Sequence, residues 1–163
     1  MRLFIKQQVL SLNDRFTVKD ENETDRYFVE GEFLTFGKKL RVYDQHNKEV
    51  LYIEQKLWKL MPEFDLFVDN EKVATIKKEW AFFQNNYTIH GQEWDIEGSV
   101  MAHDYVIKDQ GNVIADINKK WVSWGDTYEI TIHEEKNVVL LLGTVIVIDC
   151  VISAARNSSS AAH

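Results

Sequence analysis

Five histidines, one cysteine and a carboxylate set in an apolar run are the residues whose types invite chemistry in this chain. The histidines are His46, His90, His103, His133 and His163, and no two have the close spacing of a zinc or other metal motif. They read as polar residues of turns and surface, and neither a metal nor another cofactor is expected. Cys150 would act as a nucleophile only as an accessible thiolate, whereas burial in an apolar run raises a thiol pKa and leaves it inert. Its neighbour Asp149 is the most unusual residue, because an ionised carboxylate among apolar side chains needs a partner or a place at the mouth of the fold. Asp149 reads as a hydrogen-bonded latch, with a buried acid lining a pocket as the functional alternative. The sequence contains no G-x-S-x-G, no G-x-x-x-x-G-K-[ST] and no G-x-G-x-x-G, so the common hydrolase and nucleotide-binding signatures are missing and no catalytic residue is assigned.

Basic residues are densest between Lys38 and Lys78. Lys38, Lys39 and Arg41, close to Gly37, form a candidate site for the phosphate of an anionic lipid headgroup, as polybasic clusters do. The plainer reading is a solvated surface whose lysines protect strand edges. Trp58, Trp80, Trp94, Trp121 and Trp124 would serve either as a ligand platform or, as is more usual in a small β domain, as core and rim packing. Trp121 and Trp124 lie three apart and would face opposite sides of a strand unless a turn intervenes.

The elements that must position these residues are short strands. Apolar and polar residues alternate at Phe16 and Val18, Tyr27 and Val29, Leu40 and Val42, and Phe64, Leu66 and Val68. The alternation continues through Tyr87 and Ile89, Tyr105 and Ile107, Val113, Ala115 and Ile117, and Tyr128, Ile130 and Ile132. Turn-forming clusters punctuate it at Asp44-Gln45-His46-Asn47, Asp69-Asn70, His90-Gly91-Gln92 and Asp109-Gln110-Gly111-Asn112, which favours antiparallel hairpins. Three segments share a loose pattern of aliphatic, Ile, Lys and Trp: Val50, Ile53, Lys56, Trp58; Val73, Ile76, Lys77, Trp80; Ile114, Ile117, Lys120, Trp121. Vestigial repetition and the common constraints on hairpins explain it equally well. About a dozen such strands require two packed sheets or a closed barrel, and a barrel that wide has a lumen to fill.

The long apolar stretch Val138 to Ala155 is the obvious filling. As strands it is long for lack of a turn. As a membrane span it would place Asp149 near the bilayer centre at a cost on the order of 2.5–3.5 kcal/mol. As a buried helix its apolarity on all sides is expected, and that reading is preferred. The helix would begin near Asn137, with Glu134 and Glu135 at its positive end and Arg156 at its negative end.

Length and composition bound the rest. The 163 residues suit one domain over 1–156, followed by a disordered tail over 157–163. A net charge of −7 disfavours nucleic acid as a partner. The charge is uneven, with 14 Lys and Arg against 15 Asp and Glu in residues 1–80 and 5 against 11 in residues 81–163. One cysteine excludes an internal disulfide framework, and the opening apolar run of three residues is too short for a secretory signal. A cytoplasmic location is expected, peripheral to a membrane if lipid is the ligand, without a transmembrane anchor.

Phe4-Ile5-Lys6-Gln7, Phe28-Val29-Glu30-Gly31, Gln55-Lys56-Leu57 ahead of Pro62, and Lys119-Lys120-Trp121-Val122-Ser123-Trp124-Gly125-Asp126-Thr127-Tyr128 resemble the LURP-one-related family in its bacterial branch, within the tubby C-terminal-like superfamily. The closing Val147-Ile148-Asp149 looks like the end of the phospholipid scramblases of the same superfamily, although their calcium loop is not evident. The resemblance implies a twelve-stranded antiparallel β-barrel closed around a central hydrophobic C-terminal helix. About function it implies less: tubby domains bind phosphoinositides, scramblases act at membranes and plant members are linked to defence, and activity does not transfer by fold alone. The expected function is a non-enzymatic binding or scaffold module for an anionic phospholipid or a protein partner. The alternative is a small-molecule carrier or enzyme with a pocket between central helix and barrel wall.

Overall fold

A computed structural model describes residues 1–6, 15–32, 35–80, 86–122 and 125–162, with the side chains of 121, 122, 125 and 126 left aside. Twelve antiparallel strands run β1 Arg2–Lys6, β2 Arg15–Asp20, β3 Asp25–Gly31, β4 Lys39–Asp44, β5 Glu49–Gln55, β6 Glu63–Val68, β7 Glu71–Lys78, β8 Tyr87–His90, β9 Trp94–Ser99, β10 Asp104–Asp109, β11 Asn112–Val122 and β12 Gly125–Ile132. They form one sheet in the order β8-β7-β6-β5-β4-β3-β2-β1-β12-β11-β10-β9. The sheet curls until β8 and β9 meet, giving a nearly closed barrel around helix α1, Val138–Ala161.

Alternation explains the wall. Leu40 and Val42, Leu51 and Ile53, Phe64 and Leu66 are buried and face the lumen, while the residues that alternate with them face outward. Where the period slips, a bulge is responsible. Val113, expected on the inner face, is exposed while Ile114 is buried, because the β10–β11 register shifts between Ile107 and Lys108 and inserts an extra residue opposite. The expected turns are tight: Asn47, Asp69, Asn70, Gln110 and Gly111 all hold positive φ, and Asp44 Oδ1 accepts the amides of His46 and Lys48 at 2.8 and 3.0 Å.

Helix α1 fills the barrel. Its residues from Leu141 to Ser153 are all buried, so apolarity on every side is needed. The same segment is long and apolar enough to cross a membrane, yet 72% of its most apolar window lies inside the barrel. It starts after Asn137 as expected, although that side chain donates to Glu134 at 3.1 Å instead of capping the helix. The C-terminal end departs from expectation. In place of a disordered tail from 157, the helix continues to Ala161, exposed from Ala154 onward, and Ser158, Ser159 and Ser160 each donate to the carbonyl four residues back. Arg156 is therefore more than a turn from the negative end, and donates to the Met101 carbonyl at 3.4 Å.

Candidate functional site at the helix-exit end of the barrel

Hairpin connections alternate between the two ends of an up-and-down barrel, so topology alone sorts the loops. The end where α1 enters collects the turns after β2, β4, β6, β8 and β10 together with the β12–α1 connection. It carries Glu21, Glu23, Asp69, Glu93, Glu134 and Glu135 in short turns. The end where α1 exits collects the connections after β1, β3, β5, β7, β9 and β11, and there Lys6, Lys38, Lys56, Lys59, Lys77, Lys78 and Arg156 gather. Some are compensated: Lys56 lies 2.7 Å from Glu63 and 3.4 Å from Asp65, which raises its pKa and lowers that of Glu63. The Lys–Trp pattern seen in sequence falls on odd-numbered strands, all of which run toward this end.

Apolar side chains stand out of this end into solvent. Phe36 is 88% exposed, Trp58 99%, Leu60 90% and Trp80 66%, with Leu57 and Met101 beside them. Six of the eight exposed large apolar side chains among the described residues thus sit on one face of the molecule, only Phe28 and Val113 lying elsewhere. The loops that carry them are joined: the Lys78 amide donates to the Pro62 carbonyl at 2.9 Å, and Leu57 lies against Gly37, where an added Cβ would meet it at 2.8 Å. Trp58 holds φ +60°, a conformation costly for a bulky residue. Of the expected packing role, Trp94 alone is buried among Trp58, Trp80 and Trp94, while Trp124 lies outside the described residues.

Behind these loops a cavity of about 560 Å³ opens between α1 and the wall. Cys150, Val151, Ala154 and Asn157 line it from the helix, and Thr35, Gly37, Lys38, Gln55, Pro62 and Phe64 from the barrel. Lys38 is fixed at its backbone by donation to Gln55 Oε1 at 3.0 Å. The three residues expected to gather a phosphate do not converge. Lys38 lines the cavity, whereas Lys39 and Arg41 lie on the outer face of β4. Lys39 pairs with Glu54 at 3.3 Å. Arg41 is clamped between Glu49 at 2.6 Å and Glu32 at 2.7 Å and lies over the Tyr52 ring at 4.6 Å, and the carboxylates push its pKa up.

Asp149 does not line the cavity, although the next two residues do. It is 5% exposed and accepts a hydrogen bond from His103 Nε2 at 3.0 Å. His103 is itself buried, in left-handed conformation after the 3-10 turn Val100–Ala102, and its ring stacks on Tyr128 at 4.6 Å. His103 thus lies in a turn as expected but is buried there, whereas His46, His90 and His133 are exposed. The signal for His103 was indirect: a buried acid demands a partner. Burial pushes the Cys150 thiol up to about 12, with the ammonium of Lys38 opposing the rise. Among the described residues no three His, Cys, Asp or Glu side chains gather as a metal site requires.

Comparison with known proteins supplies a family and a fold. A sequence model described as LURP-one-related matches residues 1–149. The uncharacterized protein YxjI of Bacillus subtilis (strain 168) is 33% identical over 152 residues, spanning 93% of this chain and 94% of that protein. An X-ray structure of a protein from Arabidopsis thaliana superposes with a TM-score of 0.68 at 13% identity, over 91% of this chain and 88% of that one, a likeness of fold.

Proposed function

Because the chain belongs to the LURP-one-related family and sets exposed apolar side chains beside lysines at one end of its barrel, we propose that it is a non-enzymatic binding module that docks its helix-exit end on an anionic lipid surface. The observation that carries this reading is the grouping of Phe36, Trp58, Leu60 and Trp80 on connected loops at the lysine-rich end. Aromatic rings favour the boundary between headgroups and acyl chains, and lysines beside them keep their ammonium groups among the phosphates. The acidic opposite end would orient the molecule with its helix entry toward water. Such a protein is peripheral to the membrane, on the cytoplasmic side if the expected location holds.

Co-sedimentation with vesicles tests it. Binding is expected to vesicles containing phosphatidylglycerol and to weaken between 0.1 and 1 M salt, as the screening length falls from about 10 to about 3 Å. The Trp58→Ser/Leu60→Ser variant is expected to bind at least about tenfold more weakly, since each large apolar side chain withdrawn from water contributes roughly 1.5–3 kcal/mol. Equal failure to bind anionic and neutral vesicles would sink the proposal and leave a protein partner as the reading of the exposed loops.

A further inference from the structure

The cavity behind the docking loops combines apolar and polar walls in a way that a flat headgroup site does not need. Its apolar walls are the half-buried Pro62 and the exposed Ala154, backed by Phe64 and Val151, which are 3% and 5% exposed. Its polar walls are Thr35, Gln55 and Asn157, and the Lys38 ammonium reaches into it within hydrogen-bond distance of the Cys150 thiol. The volume of about 560 Å³ lies within the usual range for small-molecule sites. Apolar walls, polar walls and one cation among the lining residues suit a ligand with an alkyl tail and one anionic head.

We propose that this cavity binds a single-chain anionic amphiphile of the fatty-acid type, its tail along Pro62 and Ala154 and its head on the ammonium of Lys38. Asp149 takes no part, because its carboxylate is committed to His103 away from the cavity. The Cys150 thiol stays neutral beside the Lys38 ammonium and so adds no second charge to the cavity. This inference extends the lipid-docking reading to the same end of the barrel, and a separate set of variants tests it.

Titration of the full chain with octanoate, decanoate and dodecanoate below their micelle concentrations is the experiment, with dodecyl phosphate, dodecanol and inorganic phosphate alongside. Affinity should rise about fourfold for each added methylene, as expected for an alkyl chain leaving water. Dodecyl phosphate should bind as dodecanoate does if any anionic head suffices, and a carboxylate-only result narrows the head without moving the site. Lys38→Met should weaken dodecanoate at least about tenfold and leave dodecanol unchanged, because only the anion loses a charge-assisted bond. Ala154→Trp, on the exposed side of α1, should fill the cavity and abolish binding while vesicle co-sedimentation persists. Trp58→Ser/Leu60→Ser should do the reverse. Absence of chain-length dependence, inorganic phosphate binding as tightly as dodecanoate, or dodecanoate binding unaffected in a folded Ala154→Trp protein overturns the inference, whatever the vesicles show.

Discussion

Asp149 and His103 tie the exit half of α1 to the turn between β9 and β10, two segments 46 residues apart in sequence. Removing one member strands the other's hydrogen-bonding group in a dry interior, so Asp149→Ala is expected to cost about 1–3 kcal/mol in urea unfolding. A double-mutant cycle with His103→Ala should return a coupling well above the error of the method. Tyr105 gives the opposite case. Its hydroxyl is buried without a hydrogen-bond partner among the described residues, so Tyr105→Phe should leave stability unchanged or raise it by up to roughly 1 kcal/mol, read in the same unfolding curves. Cys150, with its thiol held neutral, should resist iodoacetamide at pH 8 in the folded protein and react once urea opens the barrel. In the sequence Asp149 was legible as a residue in need of a partner, but nothing in the run Met101-Ala102-His103-Asp104 marks His103 as that partner. Pairing across the fold has no local signature.

At the scale of elements, α1 fits the barrel because Gly143 brings its backbone against β5 and β6. A Cβ at that position would lie 2.4 Å from Leu51 Cδ2 and 3.0 Å from Leu66 Cδ2, both side chains fully buried and hemmed in. Gly143→Val should therefore destabilise by about 1–3 kcal/mol or more through overpacking, which exceeds the ~1 kcal/mol or less of helix propensity regained, and a thermal melt will show the sign. Two turns earlier in the chain than the cavity, Thr144 satisfies its hydroxyl on the Leu140 carbonyl at 2.9 Å and so enters the apolar lumen without an unpaired group. The strands were legible from their alternation, and failures fell where a bulge changed the phase, as at Val113 and Ile114. The helix was legible from unbroken apolarity, and its extension through Asn157-Ser158-Ser159-Ser160 was not, because serine and asparagine are weak helix formers.

For the whole molecule, burial raises the pKa values of Tyr105 and Tyr128 well above their usual range and that of Cys150 to about 12, with the Asp149 charge adding to each. All three are acids kept neutral by folding, so their contribution is complete below their unfolded values near 9 to 10 and declines as the unfolded chain releases protons that the folded one retains. Stability should accordingly fall with rising pH above about 9, and denaturation midpoints at pH 7, 9 and 10.5 will check the slope. The sequence by itself determined the strands, the core helix and the mainly β class, because these follow from periodicity, apolar length and turn residues that act locally. It also contained the order of alternating loops, from which the acidic and basic ends follow. Only the tertiary structure decided which apolar side chains remain outside, that Lys38 parts from Lys39 and Arg41, and that the cavity opens beside Cys150 with Asp149 turned from it. Those outcomes depend on the curl of the sheet and the rotation of α1 within it, and both are set by the fit of many side chains at once.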